Sequence, residues 1–131
     1  LFDASLCTKI PSILNRDGCV VAAARATANP GDCSYAGNGY QKIFVCCMQI
    51  STNPEYVERL SAQSCRNINF DDSCQANCFF SVAQKQKNVE LCKEIPQSTS
   101  TQYMINQCNL IGKETVNPDD GYLYYESLGT P

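Results

Sequence analysis

A chain of 131 residues fits one domain, and its net charge of −3, with ten scattered basic residues, argues against a nucleic-acid binder, which needs a basic stripe. The absence of histidine removes the commonest general base and the Ser and Cys triads built on it. No apolar run approaches the roughly 18 residues of a membrane span.

Ten cysteines and no tryptophan leave a modest core of Ile, Leu, Val, Ala, five Phe and seven Tyr, so crosslinks are expected to supply the missing stability. Zinc is disfavoured because no Cys-x2-Cys occurs; the only tight spacings are Cys46-Cys47 and Cys74-x3-Cys78. An even count with no metal signature reads as five disulfides drawn from Cys7, Cys19, Cys33, Cys46, Cys47, Cys65, Cys74, Cys78, Cys92 and Cys108. No cofactor and no metal are expected, and the compartment is oxidising: secreted and extracellular. The opening Leu1-Phe2-Asp3 reads as the mature end of a cleaved precursor.

In chain order, Asp3 can cap a short first helix whose apolar positions are Leu6, Cys7 and Ile10, with Ile13 and Leu14 extending the same face past Pro11. Asp17 is an expected N-cap for the alanine-rich run 18–28, which Asn29-Pro30-Gly31-Asp32 stops. A turn at Asn38-Gly39 precedes the nearly all-apolar run from Tyr40 to Ser51. Periodicity cannot separate a buried strand from a buried helix there, and length favours a central helix. Adjacent Cys46 and Cys47 would then point about 100° apart and bond to different elements.

Asn53-Pro54-Glu55 starts a helix expected to run to about Asn67. Asp71-Asp72-Ser73 opens the next, which carries Cys74 and Cys78 on one face and ends in the solvated lysines and glutamines of 84–87. Asn88 caps a turn closed by Pro96, and Ser98 to Thr101 supply N-cap candidates for Gln102 to Ile111, with Gly112 beyond as a C′ residue. The fold expected is all-α: a small disulfide-rich bundle of about five to six short helices, a degenerate internal repeat, and an extended C-terminal tail.

Two patterns suggest the repeat. Leu6-Cys7-Thr8-Lys9-Ile10-Pro11 returns as Leu91-Cys92-Lys93-Glu94-Ile95-Pro96, and the Cys19 to Cys33 spacing equals that of Cys78 to Cys92. Half-repeats of about 6–50 and 65–112 within a domain 1–112, followed by a tail 113–131 packed on it, describe the chain. If Cys19 begins a helix, a nine-residue rise of roughly 13 Å is within the roughly 16 Å reach of the five residues that return to Cys33. Bonds Cys19–Cys33 and Cys78–Cys92 are therefore expected.

No catalysis is expected. Asp71-Asp72 reads as a helix cap and Asp119-Asp120-Gly121 as a turn. Binding is the remaining class, and Tyr122, Leu123, Tyr124, Tyr125 and Leu128 form the first candidate contact surface, since Tyr is enriched at hot spots. The same tail could instead cover an apolar groove between helices. Tyr35 and Tyr40, flanking Gly37-Asn38-Gly39, are a second patch.

The cysteine density, the acidic balance, the Phe44-Val45-Cys46-Cys47 and Ser73-Cys74-Gln75-Ala76-Asn77-Cys78 stretches, and the lack of an Asn-x-Ser/Thr sequon resemble the secreted mating pheromones of Euplotes ciliates. That resemblance implies a helical signal protein cut from a longer precursor. Leu6-Cys7-Thr8-Lys9-Ile10 with Arg16-Asp17-Gly18-Cys19 is also similar to a helical cysteine repeat, Leu-Cys-x-Lys-Ile then Arg-Asp-x-Cys, of archaeal surface proteins. Leu91 to Ile95 matches it in part, and the Arg-Asp step is absent before Cys108. The expected function is extracellular signalling through a protein partner, either a cell-surface receptor or another copy of itself. The alternatives are a module of a surface or filament protein, and a secreted inhibitor or carrier.

Overall fold

The chain's caps divide it into short helices more finely than its apolar pattern does. A computed structural model describes residues 3–113 and shows helices and turns with no strand among them. Six stretches are α- or π-helical: α1 (Ile13–Thr27), a π-helical segment Gln41–Cys47 running directly into α2 (Met48–Thr52), α3 (Pro54–Val57), α4 (Ala62–Arg66), α5 (Asp72–Gln86) and α6 (Gln102–Cys108). Three more, Ala4–Lys9, Pro30–Tyr35 and Val89–Glu94, are 3-10 segments. The result is the all-helical, disulfide-rich bundle expected from composition.

Local capping chemistry decides several boundaries. Asn53 accepts the Glu55 amide at 2.9 Å, Asp71 that of Cys74 at 2.9 Å and Asn88 that of Glu90 at 3.1 Å, as the sequence predicts. Asp17 does not cap. Ser12 holds that position for α1, its Oγ accepting from Asn15, and Asp17 lies a full turn inside the helix. The helix begun at Asn53 does not reach Asn67, because Ser61 turns extended and forms a reciprocal capping box with Ser64 that starts α4. The carbonyls of Val57, Glu58 and Leu60 beside that break all accept from Lys85 Nζ, at 2.9, 3.1 and 2.8 Å. Residues 84–87 are all exposed, as the sequence predicts of a solvated helix end, and Lys85 also tethers α5 to the break. α6 likewise stops at Cys108, short of Ile111; turns follow, and Gly112 has φ +91°, a left-handed backbone that glycine adopts without strain.

The core gathers on α5. Phe79 and Val82 pack with Ile50, Ile68, Leu60, Ile95 and Ile105, and with eight of the cysteines. Sulfur thus fills volume that larger side chains occupy in other small domains. The expected apolar face of the N-terminal segment is only partly inward. Leu91 and Ile95 are buried, but Leu6 is 56% exposed and Leu14 75% exposed. α1 turns Asp17, Val20, Val21, Ala23 and Ala24 inward, and Leu14, one residue from the exposed Ile13 in the first turn, falls on the solvent side.

The disulfides follow a rule that the spacing did not reveal. Cys7 bonds Cys19 and Cys33 bonds Cys46; Cys65 bonds Cys78 and Cys92 bonds Cys108; Cys47–Cys74 alone joins the first four cysteines' half to the second. The expected Cys19–Cys33 and Cys78–Cys92 bonds are wrong. Cys19 is the seventh residue of α1 and faces the turn before the helix, while Cys33 faces the π-helical segment after it. Cys46 and Cys47 do bond to different elements, as their adjacency predicts.

Equal spacing has a structural origin. α1 and α5 each have fifteen residues and lie 59 positions apart (72 − 13 and 86 − 27). Each ends on a left-handed residue, Ala28 or Lys87, then an Asn, then a six-residue 3-10 segment with cysteine in fourth place. The segment Ala4–Lys9 has the same form: Asp3 before it, Cys7 fourth, and the Ile10 amide closing onto the Cys7 carbonyl, as the Ile95 amide closes onto Cys92. The echo between Leu6–Pro11 and Leu91–Pro96 is thus a shared local turn, and the two copies stand at different places in their quartets.

Each local bond adds about 3 kcal/mol by restricting the unfolded chain. The Cys47–Cys74 loop is longer, and replacing both cysteines by alanine is expected to lower stability by about 3.5 kcal/mol. Denaturant melts would measure that loss, with far-UV circular dichroism unchanged and faster amide exchange confined to α2 and α5. A loss of helicity throughout would show that the two halves cannot stand on their own bonds.

Candidate functional site

Asp17 organises an exposed aromatic surface. Its carboxylate is 3% exposed, and its two oxygens accept the amides of Gly37 and Asn38 at 2.7 and 3.0 Å. A buried carboxylate is costly unless satisfied, and two charge-assisted bonds to a turn offset that cost while fixing the turn. Asn38 continues the chain of constraint: its side-chain oxygen accepts the Gln41 amide at 3.1 Å and its carbonyl accepts that of Lys42, so the turn leads into the π-helical segment.

Tyr35 precedes this turn and Tyr40 follows it, and both are exposed, Tyr40 by 65%. Tyr40 meets Phe44, which is 52% exposed, with ring centroids 5.4 Å apart and planes tilted by 39°, a favourable offset arrangement. Ile13, also exposed, reaches the same turn from α1. A Cβ on Gly37 would lie 2.8 Å from Ile13 Cδ1, so glycine permits this approach. Arg16 borders the group, and its Nε donates to the Ile10 carbonyl at 3.3 Å. The Cys33–Cys46 bond fixes the two ends of the segment that carries Tyr35 and Tyr40.

Of the residues singled out from sequence, Tyr40 meets Phe44, and Tyr35 is exposed on the other side of the clamped turn. Tyr122, Leu123, Tyr124, Tyr125, Leu128 and the pair Asp119-Asp120 lie outside the described residues. Phe44 and Ile13 were missed as site residues. Phe44 stands four residues after Tyr40 and could have been found from that helical spacing; Ile13 could not, since its proximity depends on the Asp17 clamp.

Electrostatics are mild. Burial raises the Asp32 carboxyl above its ordinary range, with the Asp3 charge adding to it, while Asp3 is held low by hydrogen bonds from the Ser5 hydroxyl and amide. Arg66 holds Glu94 low through two 2.7 Å bonds across from α4 to the segment Val89–Glu94. The signs oppose. Acidification through the carboxylate range removes the stability that Glu94 contributes above its unfolded pKa, and relieves the charge on Asp32 that folding disfavours. No group of three or more potential metal ligands is assembled among the described residues. A shallow depression of about 370 Å³ lies between α3 and α5, lined by Thr52, Pro54, Val57, Glu58, Ser81, Gln84 and Lys85.

No family model, no curated protein and no solved structure matches this chain.

Replacing Asp17 by alanine leaves two amides without their acceptor and is expected to destabilise the chain by about 2–4 kcal/mol. Hydrogen exchange at Gly37 and Asn38 should accelerate most. Unchanged protection at those two amides would show that the carboxylate does not hold the turn.

Proposed function

We propose that this chain is a secreted extracellular recognition protein of the pheromone type, which acts by binding a protein partner on a cell surface. The observation that supports it best is the exposed Tyr40–Phe44 pair beside a turn held by Asp17 and by the Cys33–Cys46 bond, with exposed Tyr35 and Ile13 flanking that turn. Exposed aromatic side chains on a rigid support lose little entropy on docking, and Tyr is a frequent hot-spot residue. Among the described residues every cysteine is paired and no helix is long and apolar enough to cross a membrane, which fits an oxidising location. The likeness in cysteine habit to ciliate pheromones points the same way. A second reading, a cysteine-repeat module of a cell-surface or filament protein, is favoured by one observation: the quartet Cys7, Cys19, Cys33, Cys46 and the quartet Cys65, Cys78, Cys92, Cys108 share one bonding pattern.

Fluorescently labelled protein added to living cells of the producing organism should bind saturably. Tyr40→Ala and Phe44→Ala should each weaken that binding by about 30-fold or more, with circular dichroism unchanged. Saturable binding that both variants retain would move the contact elsewhere, and no binding to any cell would contradict the reading.

A further inference from the structure

Four of the five disulfides are sealed: their eight cysteines are each at most 3% exposed and lie in the main core around α5. Cys7–Cys19 differs on both counts. Its cysteines belong to the smaller cluster with Val20 and Ala36, and Cys19 is only half-buried. On the surface of α1, Asn15, Gly18 and Ala22 form an exposed strip beside Cys19, and nothing lies within 4 Å of where a Gly18 Cβ would stand. Solvent therefore reaches this bond from one side, and exposed disulfides are the ones that exchange readily with thiols.

The segment that this bond holds has little else to keep it in place. Of Ala4–Lys9 only Ala4 and Cys7 are buried, both of them small, while Leu6 is exposed. Its capping residue Asp3 carries a charge that repels the partly buried Asp32. A single 3-10 turn with so little buried surface is not stable by itself, so opening Cys7–Cys19 frees it while four bonds keep the rest of the fold. What it leaves behind matters for the clamped turn. Cys7 packs with Val20 and with Ala36, the residue just before the Gly37 and Asn38 amides that Asp17 holds.

We propose that Cys7–Cys19 is a thiol-exchange site for low-molecular-weight thiols, and that its reduction weakens recognition by loosening the Gly37-Asn38 turn beside Tyr40 and Phe44. The second half of that statement rests on the recognition reading above; the first does not. The thiolate of a free thiol attacks Cys19 Sγ, the Cys7–Cys19 bond breaks, and Cys7 leaves with the electron pair and takes a proton from water. A second thiol then attacks the sulfur joined to Cys19, which releases Cys19 as a thiol and the two reagents as their own disulfide. One protein bond is reduced and two thiols are oxidised. Exchange in the reverse direction with an oxidised thiol restores the bond, so the device is reversible.

The test exposes the native protein to reduced glutathione without denaturant, caps free thiols with iodoacetamide at successive times, and maps the caps by peptide mass spectrometry. Caps at Cys7 and Cys19 are expected first, by way of a glutathione adduct on Cys19, with the other four bonds whole. First caps at any other pair, or at all ten cysteines together, would overturn the exchange site. Amide exchange of the protein capped at those two positions, and of the uncapped variant C7S/C19S, should be faster at Gly37 and Asn38. Unchanged protection there would overturn the link to the turn. Binding of the capped protein to cells should be weaker by about tenfold, as expected if the competent arrangement is populated about a tenth of the time. The caps and the amide exchange are read without cells, so absence of binding in the intact protein strikes the recognition reading alone.

Discussion

The structure depends on where each cysteine sits relative to a short capped turn. Cys7, Cys33 and Cys92 are each the fourth residue of a 3-10 segment, and Cys65 is the fourth residue of α4. In each case the next amides close back onto the turn, as Ile10 does onto Cys7 and Ile68 onto Cys65, so the sulfur leaves a fixed backbone in a fixed direction. A helix within 12 to 16 residues then supplies the partner. Loops this short close at modest entropic cost, which lets each half crosslink itself before the halves meet. The Cys47–Cys74 bond can follow, and it sets α2 against α5 at the centre of the core.

The recognition face inherits its rigidity from the same plan. Cys33 and Cys46 fix the ends of the segment that carries Tyr35 and Tyr40, and Asp17 fixes its middle. Burying a carboxylate is an expensive way to hold a turn, and hydrophobic contacts would hold it more cheaply elsewhere in a domain. Here the main core centres on α5 and takes Val21 and Ala24 from α1, while the other side of α1, where Cys7, Val20 and Ala36 pack with the half-buried Cys19, relies on a polar clamp.

How much of this was legible depended on range. Caps at Asn53, Asp71 and Asn88 were readable because the acceptor and the amide it serves are two or three residues apart. Asp17 was misread for the same reason turned around: its partners lie twenty and twenty-one residues away, and the local rule assigned it to its own helix. The helix class of the run from Tyr40 to Ser51 followed from its length, and the divergence of Cys46 and Cys47 followed from helical geometry. The cysteine pairing did not, because equal spacing between Cys19 and Cys33 and between Cys78 and Cys92 marks equivalent positions in two copies and says nothing of which sulfurs touch. Leu6, Ile13 and Leu14 looked like core by type, yet exposure at a helix start is decided by what packs beside it. Of the candidate site, Tyr35 and Tyr40 were found from a turn signal, and Ile13 needed the fold.

Local crosslinking within each quartet, with a single bond between the halves, is the central claim, and a disulfide map of the native protein tests it most directly. Partial digestion and mass spectrometry should return Cys7–Cys19, Cys33–Cys46, Cys65–Cys78, Cys92–Cys108 and Cys47–Cys74. A peptide joining Cys19 to Cys33, or any second bond between the halves, would contradict it.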